Sequence, residues 1–441
     1  MFYKLLMERI MVQNQSSAIE KYISDALTES LKTPNIHETS DTLKIQVVGI
    51  IGAGTMGGGI AMNFANVGIR VKIVEVDEIK LKEGLSRIRE NYQRSSDKGR
   101  FPQSEVESRM NLIEGSTRLE ELAICDLIIE AVFENIEIKK EIFSKLQRIA
   151  KPSSILATNT SGLDIDIIAS MTDRPEDIVG LHFFSPANVM KLLEIVQAKQ
   201  TSSRVINTCM QVAQKIKKIP VLVGVCDGFV GNRILWARQD QANKLVKNGI
   251  LPWEIDKALN DFGFKMGPFQ MADLAGLDLG WSKGATTGNP IKDALCEAGR
   301  RGQKTGKGYY NYDSNRIPTP SIETEEIIVD ITQAKKTSMA REQIIETLIF
   351  PMINEALKIL DENKAQRPSD VDVVWLYGYG WPRDKGGLLY YGDKVGAKKI
   401  LQVMERLAVN DKDLKVSELL YKCSDKNLKF LDIDAGGLIA N

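Results

Sequence analysis

KIQVVGIIGAGTMGGG, residues 44–59, joins an apolar run to a glycine-rich turn. Ile45–Ile51 is almost continuously apolar, the pattern of a strand covered on both faces. Gly52-Ala53-Gly54-Thr55-Met56-Gly57 follows with GxGxxG spacing. Such a match is common by chance, so its setting matters. Apolar residues then recur at helical spacing (Ile60, Phe64, Val67) and stop at Gly68. Val71–Val76 is a second strand-like run, with the acidic Glu75 near its end. Strand, turn, helix, strand and acid together form a dinucleotide fingerprint. Gly52 allows the tight turn, and Gly54 lets the pyrophosphate approach the backbone. Gly57 permits close helix–strand packing, and Thr55 and Met56 open the helix whose N-terminus favours the phosphates. Glu75 would accept from ribose hydroxyls and repel a 2′-phosphate, so NAD is expected over NADP. Asp77 is the rival acid, past the strand end.

The alternation continues. Asp126–Val132, Ser154–Thr158, Ile178–Phe184 and Leu192–Val196 read as strands, and Ile136–Ile149 reads as an amphipathic helix. This predicts βαβ units and a mostly parallel sheet. After Pro220–Val225 the pattern becomes helical and repeats. Asn232–Asn248 leads to Pro252–Ala258 and Phe262-Gly263-Phe264; Leu348–Leu360 leads to Pro368–Val374 and Tyr377-Gly378-Tyr379. Asp256 and Asp372 occupy matching places. The expected fold is an α/β Rossmann-like NAD-binding domain followed by two tandem, duplicated all-α domains. The expected boundaries are an N-terminal extension and linker at 1–44, the Rossmann domain at 45–226, and helical domains at 227–320 and 321–441. Weak helical spacing runs through Ile19, Ile23, Leu27 and Leu31. Thr33–Thr42 reads as a linker and Arg300–Ser321 as a surface connector.

Composition narrows the function. Across 441 residues, 58 Lys and Arg balance 58 Asp and Glu, so no overall field favours nucleic acid or an anionic membrane. No run of about 20 apolar residues suggests a membrane span. The five dispersed cysteines suit a reducing compartment better than a disulfide framework. With two histidines, His37 and His182, no multi-histidine metal site is expected. No secretory, transit or C-terminal address is visible.

His37 lies in the polar linker and reads as solvated. His182 ends a strand-like run before Ser185-Pro186, where parallel sheets bind ligands. Glu194 lies in the next apolar run, where an unpaired charge would be costly. A Glu194–His182 pair would fix the imidazole tautomer and stabilise the imidazolium. Ser161 and Asn232 are either helix caps or substrate contacts; spacing alone leaves both open. Arg94, Lys98 and Arg100, with Arg87 and Arg89 nearby, are candidates for phosphates or a solvated face. Phe183, Phe184 and Met190 are candidates for an acyl channel or for core.

Together the segments Ile50–Gly59, Glu130–Glu134, Asn159–Ser161, Gly180–Pro186, Met190–Val196, Asp227–Arg233 and Met266–Leu277 resemble the L-3-hydroxyacyl-CoA dehydrogenase family. Asp273–Trp281, Gly302–Tyr309 and Gly378–Pro382 resemble, more narrowly, the dehydrogenase half of multifunctional fatty-acid β-oxidation enzymes. The resemblance implies NAD-dependent oxidation of a 3-hydroxyacyl-CoA, a small-molecule substrate. It implies His182 as base and Glu194 as its partner, with Ser161 and Asn232 on the substrate oxygens in a cleft between the Rossmann and first helical domains. It adds Glu134 and Lys139 to the cofactor contacts; the family commonly has Asp where Glu75 stands. Only 44 residues precede Ile45, too few for the family's hydratase domain, so hydratase and isomerase activity is expected to be absent. A peroxisomal location follows from the resemblance alone, as does a monomer in which the second helical copy covers the dimer surface. A retired NAD- or acyl-CoA-binding protein, a dehydrogenase of another hydroxy acid, and an assembly scaffold are the competing readings.

Overall fold

A computed structural model describes residues 2–33 and 42–433, with side chains from Ser16 onward. His37 and most of the expected linker fall outside the described residues. The chain divides into two compact units: Met1–Arg233 with Ile359–Tyr379 and Leu431–Asn441, and Ile234–Lys358 with Gly380–Phe430.

The first unit is built on eight strands: β1 (Val47–Ile51), β2 (Arg70–Val74), β3 (Ile113–Ser116), β4 (Leu127–Glu130), β5 (Ile155–Thr158), β6 (Ile178–Phe183), β7 (Leu192–Gln197) and β8 (Ile219–Gly224). Their order is β3-β2-β1-β4-β5-β6-β7-β8. Every neighbouring pair is parallel except β6–β7, which is antiparallel. All residues of β1, β4, β5 and β6 are buried, which is why those runs lack polar alternation. Ile60 and Phe64 of the helix Thr55–Ala65, with Val205, Cys209 and Val212 of the helix Ser203–Lys215, share a core with strand residues such as Val48, Ile129 and Ile195. Strand β3 escapes the sequence reading because it buries only Ile113 of its four residues.

The glycine turn bends as its spacing predicts. Gly52 has φ of +103°, and a Cβ there would lie 2.7 Å from the Ala131 carbonyl oxygen. A Cβ at Gly57 would lie 1.9 Å from the Gly52 carbonyl oxygen, so the helix start can sit on the turn only without a side chain. A Cβ at Gly54 would meet nothing within 4 Å.

Most of the expected N-terminal extension is helical, along the faint spacing of Ile19, Ile23 and Leu27. Phe2–Ser30 is one helix, and its Ile19, Ile23 and Ala26 are buried. The Tyr22 hydroxyl donates to Asp372 Oδ2 at 2.6 Å, against the helix Pro368–Gly378. That helix belongs to the second repeat yet lies in the first unit, so residue 320 does not mark a boundary between compact units. The apolar stripe on the N-terminal helix is interrupted by polar residues, which is why its sequence signal is faint.

The helical repeat has a structural counterpart. Helices of 19, 11 and 8 residues (Phe229–Lys247, Pro252–Phe262, Pro268–Ala275) are matched by helices of 21, 11 and 8 (Arg341–Asp361, Pro368–Gly378, Leu388–Val395). Asp256 in the first copy accepts from the Phe269 and Gln270 amides and from the Tyr310 hydroxyl at 2.8–3.0 Å. Burial nonetheless pushes its carboxyl up to about 7. Asp372 in the second copy accepts from a tyrosine in the same way, supplied there by the N-terminal helix. Arg300–Ser321 is not simply a surface connector. Arg300, Tyr309 and Tyr310 are buried, and the Arg300 guanidinium donates to the Gly308 and Tyr310 carbonyls. Among the described residues no helix is long and apolar enough to cross a membrane.

Two neighbouring substitutions separate packing from ligand space. Gly57→Ala is expected to lower the unfolding free energy by about 2 kcal/mol or more through backbone overpacking. Gly54→Ala should leave it unchanged within about 0.5 kcal/mol. Urea denaturation of the two variants checks the contrast; equal stabilities would contradict it.

Candidate active site

The one antiparallel pairing in the main sheet creates the site's central contact. Residues directly opposite one another project to the same face, and the β6–β7 register sets His182 opposite Glu194. The His182 Nδ1 atom lies 2.7 Å from Glu194 Oε2. His182 is 6% exposed and Glu194 is fully buried. A carboxylate can only accept, so Nδ1 carries the hydrogen, and in the neutral imidazole Nε2 carries the lone pair. The other Glu194 oxygen, Oε1, accepts from the Gly231 amide at 2.9 Å. Both oxygens of the buried charge are therefore bonded. The imidazole packs against Phe184 and Phe229, with centroids 4.5 and 5.6 Å away. Phe229 has φ of +52°, a left-handed conformation costly for a bulky residue. It opens the helix that carries Gly231 and Asn232.

Ser161 and Asn232 meet beside this pair. The Asn232 Nδ2 donates to the Ser161 carbonyl at 3.2 Å, and Asn232 Oδ1 accepts from the Tyr379 hydroxyl at 2.7 Å. Neither acts as a cap here: Asp164 caps the helix after Ser161. The Ser161 amide and hydroxyl both donate to Glu134 Oε1, at 2.8 and 3.2 Å, and Thr160 Oγ1 donates to the same oxygen at 2.5 Å. Burial pushes the Glu134 carboxyl up, but Thr160, Lys139 and the Ser161 amide outweigh it and hold it below the ordinary range. Lys139 is 1% exposed. Its ammonium sits on Glu130 at 2.7 and 2.9 Å and 3.4 Å from Glu134. Its observed contacts thus brace two carboxylates from within the core. Glu130 also accepts from Thr158 Oγ1 and the Val132 amide at 2.8 Å.

Glu130, Thr160 and Tyr379 were missed as site residues. Glu130 carried a readable signal, a carboxylate ending the apolar run Leu127–Glu130.

At the glycine turn, Gly54 and Thr55 are exposed and Met56 is half-buried. Gly54 precedes the helix Thr55–Ala65 without a side-chain cap, leaving its N-terminus open to an anion. Glu75 Oε2 lies 3.2 Å from the Ala53 amide. The rival Asp77 is occupied, capping the Glu78–Asp97 helix through the Ile79 and Lys80 amides. The turn thus fits a dinucleotide: space above Gly54, an open helix end and a carboxylate at the second strand. Arg87 donates to the Ala53 carbonyl, Arg89 pairs with Glu107, and Arg94 bonds Asn91. These three basic residues thus divide among separate partners. Phe183 belongs to the sheet core, whereas Phe184 lies between the His182 and Tyr379 rings.

Comparison with known proteins identifies the family. Residues 47–226 match the NAD binding domain of 3-hydroxyacyl-CoA dehydrogenase, and residues 228–312 match its C-terminal domain. The peroxisomal bifunctional enzyme of Homo sapiens is 41% identical over 408 residues, covering 86% of this chain and 55% of that protein. The enzyme of the same name from Cavia porcellus is 40% identical over 402 residues, with the same coverage. The chain thus spans little more than half the length of these relatives. The dehydrogenase part of multifunctional enzyme 1 from C. elegans superposes with a TM-score of 0.64 at 32% identity, covering 91% of this chain and 96% of that one. The (S)-3-hydroxybutyryl-CoA dehydrogenase of Ralstonia eutropha superposes at 0.56 and 31% identity, covering 62% of this chain and all of that one. With an NAD-binding domain of this kind and the matching helical domain behind it, the chain belongs to the 3-hydroxyacyl-CoA dehydrogenase family.

Proposed function

We propose that this chain oxidises an L-3-hydroxyacyl-CoA to the 3-ketoacyl-CoA with NAD, using His182 as general base and Glu194 as its support. The observation that carries the reading is the 2.7 Å His182–Glu194 contact, beside a serine and an asparagine able to hold two oxygens. NAD, when bound at the glycine turn, supplies the hydride acceptor. His182 Nε2 takes the 3-hydroxyl proton as C3 is oxidised to a ketone. The buried Glu194 carboxylate stabilises the imidazolium that results. The Ser161 hydroxyl, turning its one hydrogen away from Glu134, and the second Asn232 amide hydrogen donate to the 3-oxygen and the thioester oxygen, holding them in a reactive pose. Glu75 takes the adenosine ribose, and Lys139 holds Glu134 in place beside Ser161. The names of the relatives support a role in fatty-acid β-oxidation and a peroxisomal setting. Formation of NADH from NAD on adding a 2-enoyl-CoA, which requires its hydration to the 3-hydroxyacyl-CoA first, checks whether hydratase activity is absent from this chain.

NADH oxidation by the purified protein with acetoacetyl-CoA tests the reading. Turnover is expected, and its absence with every acyl-CoA tried would favour another hydroxy acid or a retired enzyme. His182→Ala should lower kcat by about a thousandfold while NADH affinity changes less than about twofold. Retained turnover in that variant would remove His182 from the chemistry.

A second expectation concerns pH. Because the Glu134 carboxyl is held low in the folded protein, it contributes stability above the ordinary glutamate range, lost as pH falls through its depressed value. Thr160→Val moves that folded value up toward the ordinary one, so the variant should be less stable than the wild type near pH 6 and lose less stability on acidification, the two curves converging at low pH. Thr160→Ser should behave like the wild type. Thermal melts between pH 3 and 6 provide the check; superimposable curves for Thr160→Val would contradict the role given to Thr160.

A further inference from the structure

We propose that Tyr379, from the second helical copy, is a positioning residue that sets the Asn232 amide for the substrate oxygen. The inference rests on the dehydrogenase reading above and adds a residue outside the segments 47–226 and 228–312 that match the family.

The geometry is specific. The Ser161 carbonyl can only accept, so it draws the amide nitrogen of Asn232 to itself at 3.2 Å. The amide oxygen must then face the other way, where the Tyr379 hydroxyl donates to it at 2.7 Å. With the group tethered at both ends, one Nδ2 hydrogen is committed to Ser161 and the other is left to donate to a substrate oxygen. Loss of the tyrosine hydroxyl releases one tether and lets the amide plane swing about its own axis.

The ring is held so that its hydroxyl cannot drift. Tyr379 stacks on Trp375 with centroids 4.6 Å apart and an interplanar angle of 23°. Phe184 meets it edge-on at 5.4 Å. A Cβ at Gly231 would come within 2.5 Å of the ring, so only glycine leaves room for it. Trp375 is fully buried on the helix Pro368–Gly378, and the N-terminal helix packs on that same helix. The second copy thus carries a hydroxyl to the oxygen-binding pair, with the N-terminal helix behind it.

Tyr379→Phe keeps the ring and its packing and removes only the hydroxyl. With acetoacetyl-CoA the variant should lose about tenfold in kcat, the scale of one hydrogen bond to a working group. Its melting temperature and its KM for NADH should remain at wild-type values. In an Asn232→Ala background, Tyr379→Phe should cause no further loss, because the group it positions is gone. Wild-type kcat in Tyr379→Phe, or an equal further loss on top of Asn232→Ala, would overturn the proposal. Failure of the dehydrogenase reading would look different: the wild type itself would not turn over. The positioning role is then read from the Asn232 side-chain amide in 15N NMR. Shifted resonances with faster hydrogen exchange in Tyr379→Phe support it, and unchanged ones overturn it.

Discussion

The site depends on one reversal of strand direction. Six strands of the sheet, β1–β6, run in parallel and would deliver single side chains to their carboxyl edge. Turning β7 against β6 instead puts two side chains opposite each other on one face. His182 and Glu194 fall on that opposed pair, with the carboxylate in the buried interior of the sheet. A buried carboxylate is tolerable only with its oxygens satisfied. The histidine satisfies one and the Gly231 amide the other. The charge that supports the imidazole is therefore also a tie between the sheet and the start of the next helix. The strained Phe229 is part of that tie, because its left-handed turn begins the helix that carries Gly231 and Asn232.

A second chain of polar contacts runs from the strand end beside the glycine turn to Asn232 and Tyr379. Lys139 neutralises the buried Glu130 at the end of β4, next to the glycine turn at the end of β1. Its remaining reach steadies Glu134, which gathers Thr160 and Ser161. Ser161 orients Asn232, and Asn232 meets Tyr379. At its buried end, Glu130 with Lys139 and Thr158, the chain is valuable only when complete, since an orphaned member there costs its full desolvation. The glycines act by what they omit. Gly57 and Gly231 leave room for a carbonyl and an aromatic ring of the protein itself, while Gly54 leaves room that no protein atom fills.

Much of this was legible in the sequence, for a physical reason. Fully buried parallel strands must be apolar throughout, so β1, β4, β5 and β6 announce themselves to within a residue or two. The histidine and its carboxylate stand out because each is a polar residue in an apolar run. What the sequence could not provide is register and distance. That His182 and Glu194 face each other requires the antiparallel pairing, which no local pattern encodes. Tyr22 meets Asp372 from 350 positions away, and Tyr379 meets Asn232 across 147. In both cases the residues looked ordinary alone: an exposed-seeming tyrosine on a faint amphipathic helix, and an aromatic in a repeat motif. The Arg300–Ser321 segment misled because its glycines and lysines signal a loop, while Arg300 buries itself by bonding backbone carbonyls.

In the proposed mechanism Glu194 fixes the His182 tautomer, with the proton on Nδ1 and, in the neutral ring, the lone pair on Nε2. Because the chain has only two histidines, 15N-histidine NMR resolves the question with few assignments. Spectra of the wild type and His37→Asn identify the His182 nitrogens, and Glu194→Gln tests their cause. The expected result is that the neutral form of His182 carries its proton on Nδ1 in the wild type, with that preference weakened in Glu194→Gln. A wild-type His182 protonated on Nε2, or a tautomer indifferent to Glu194, would contradict it.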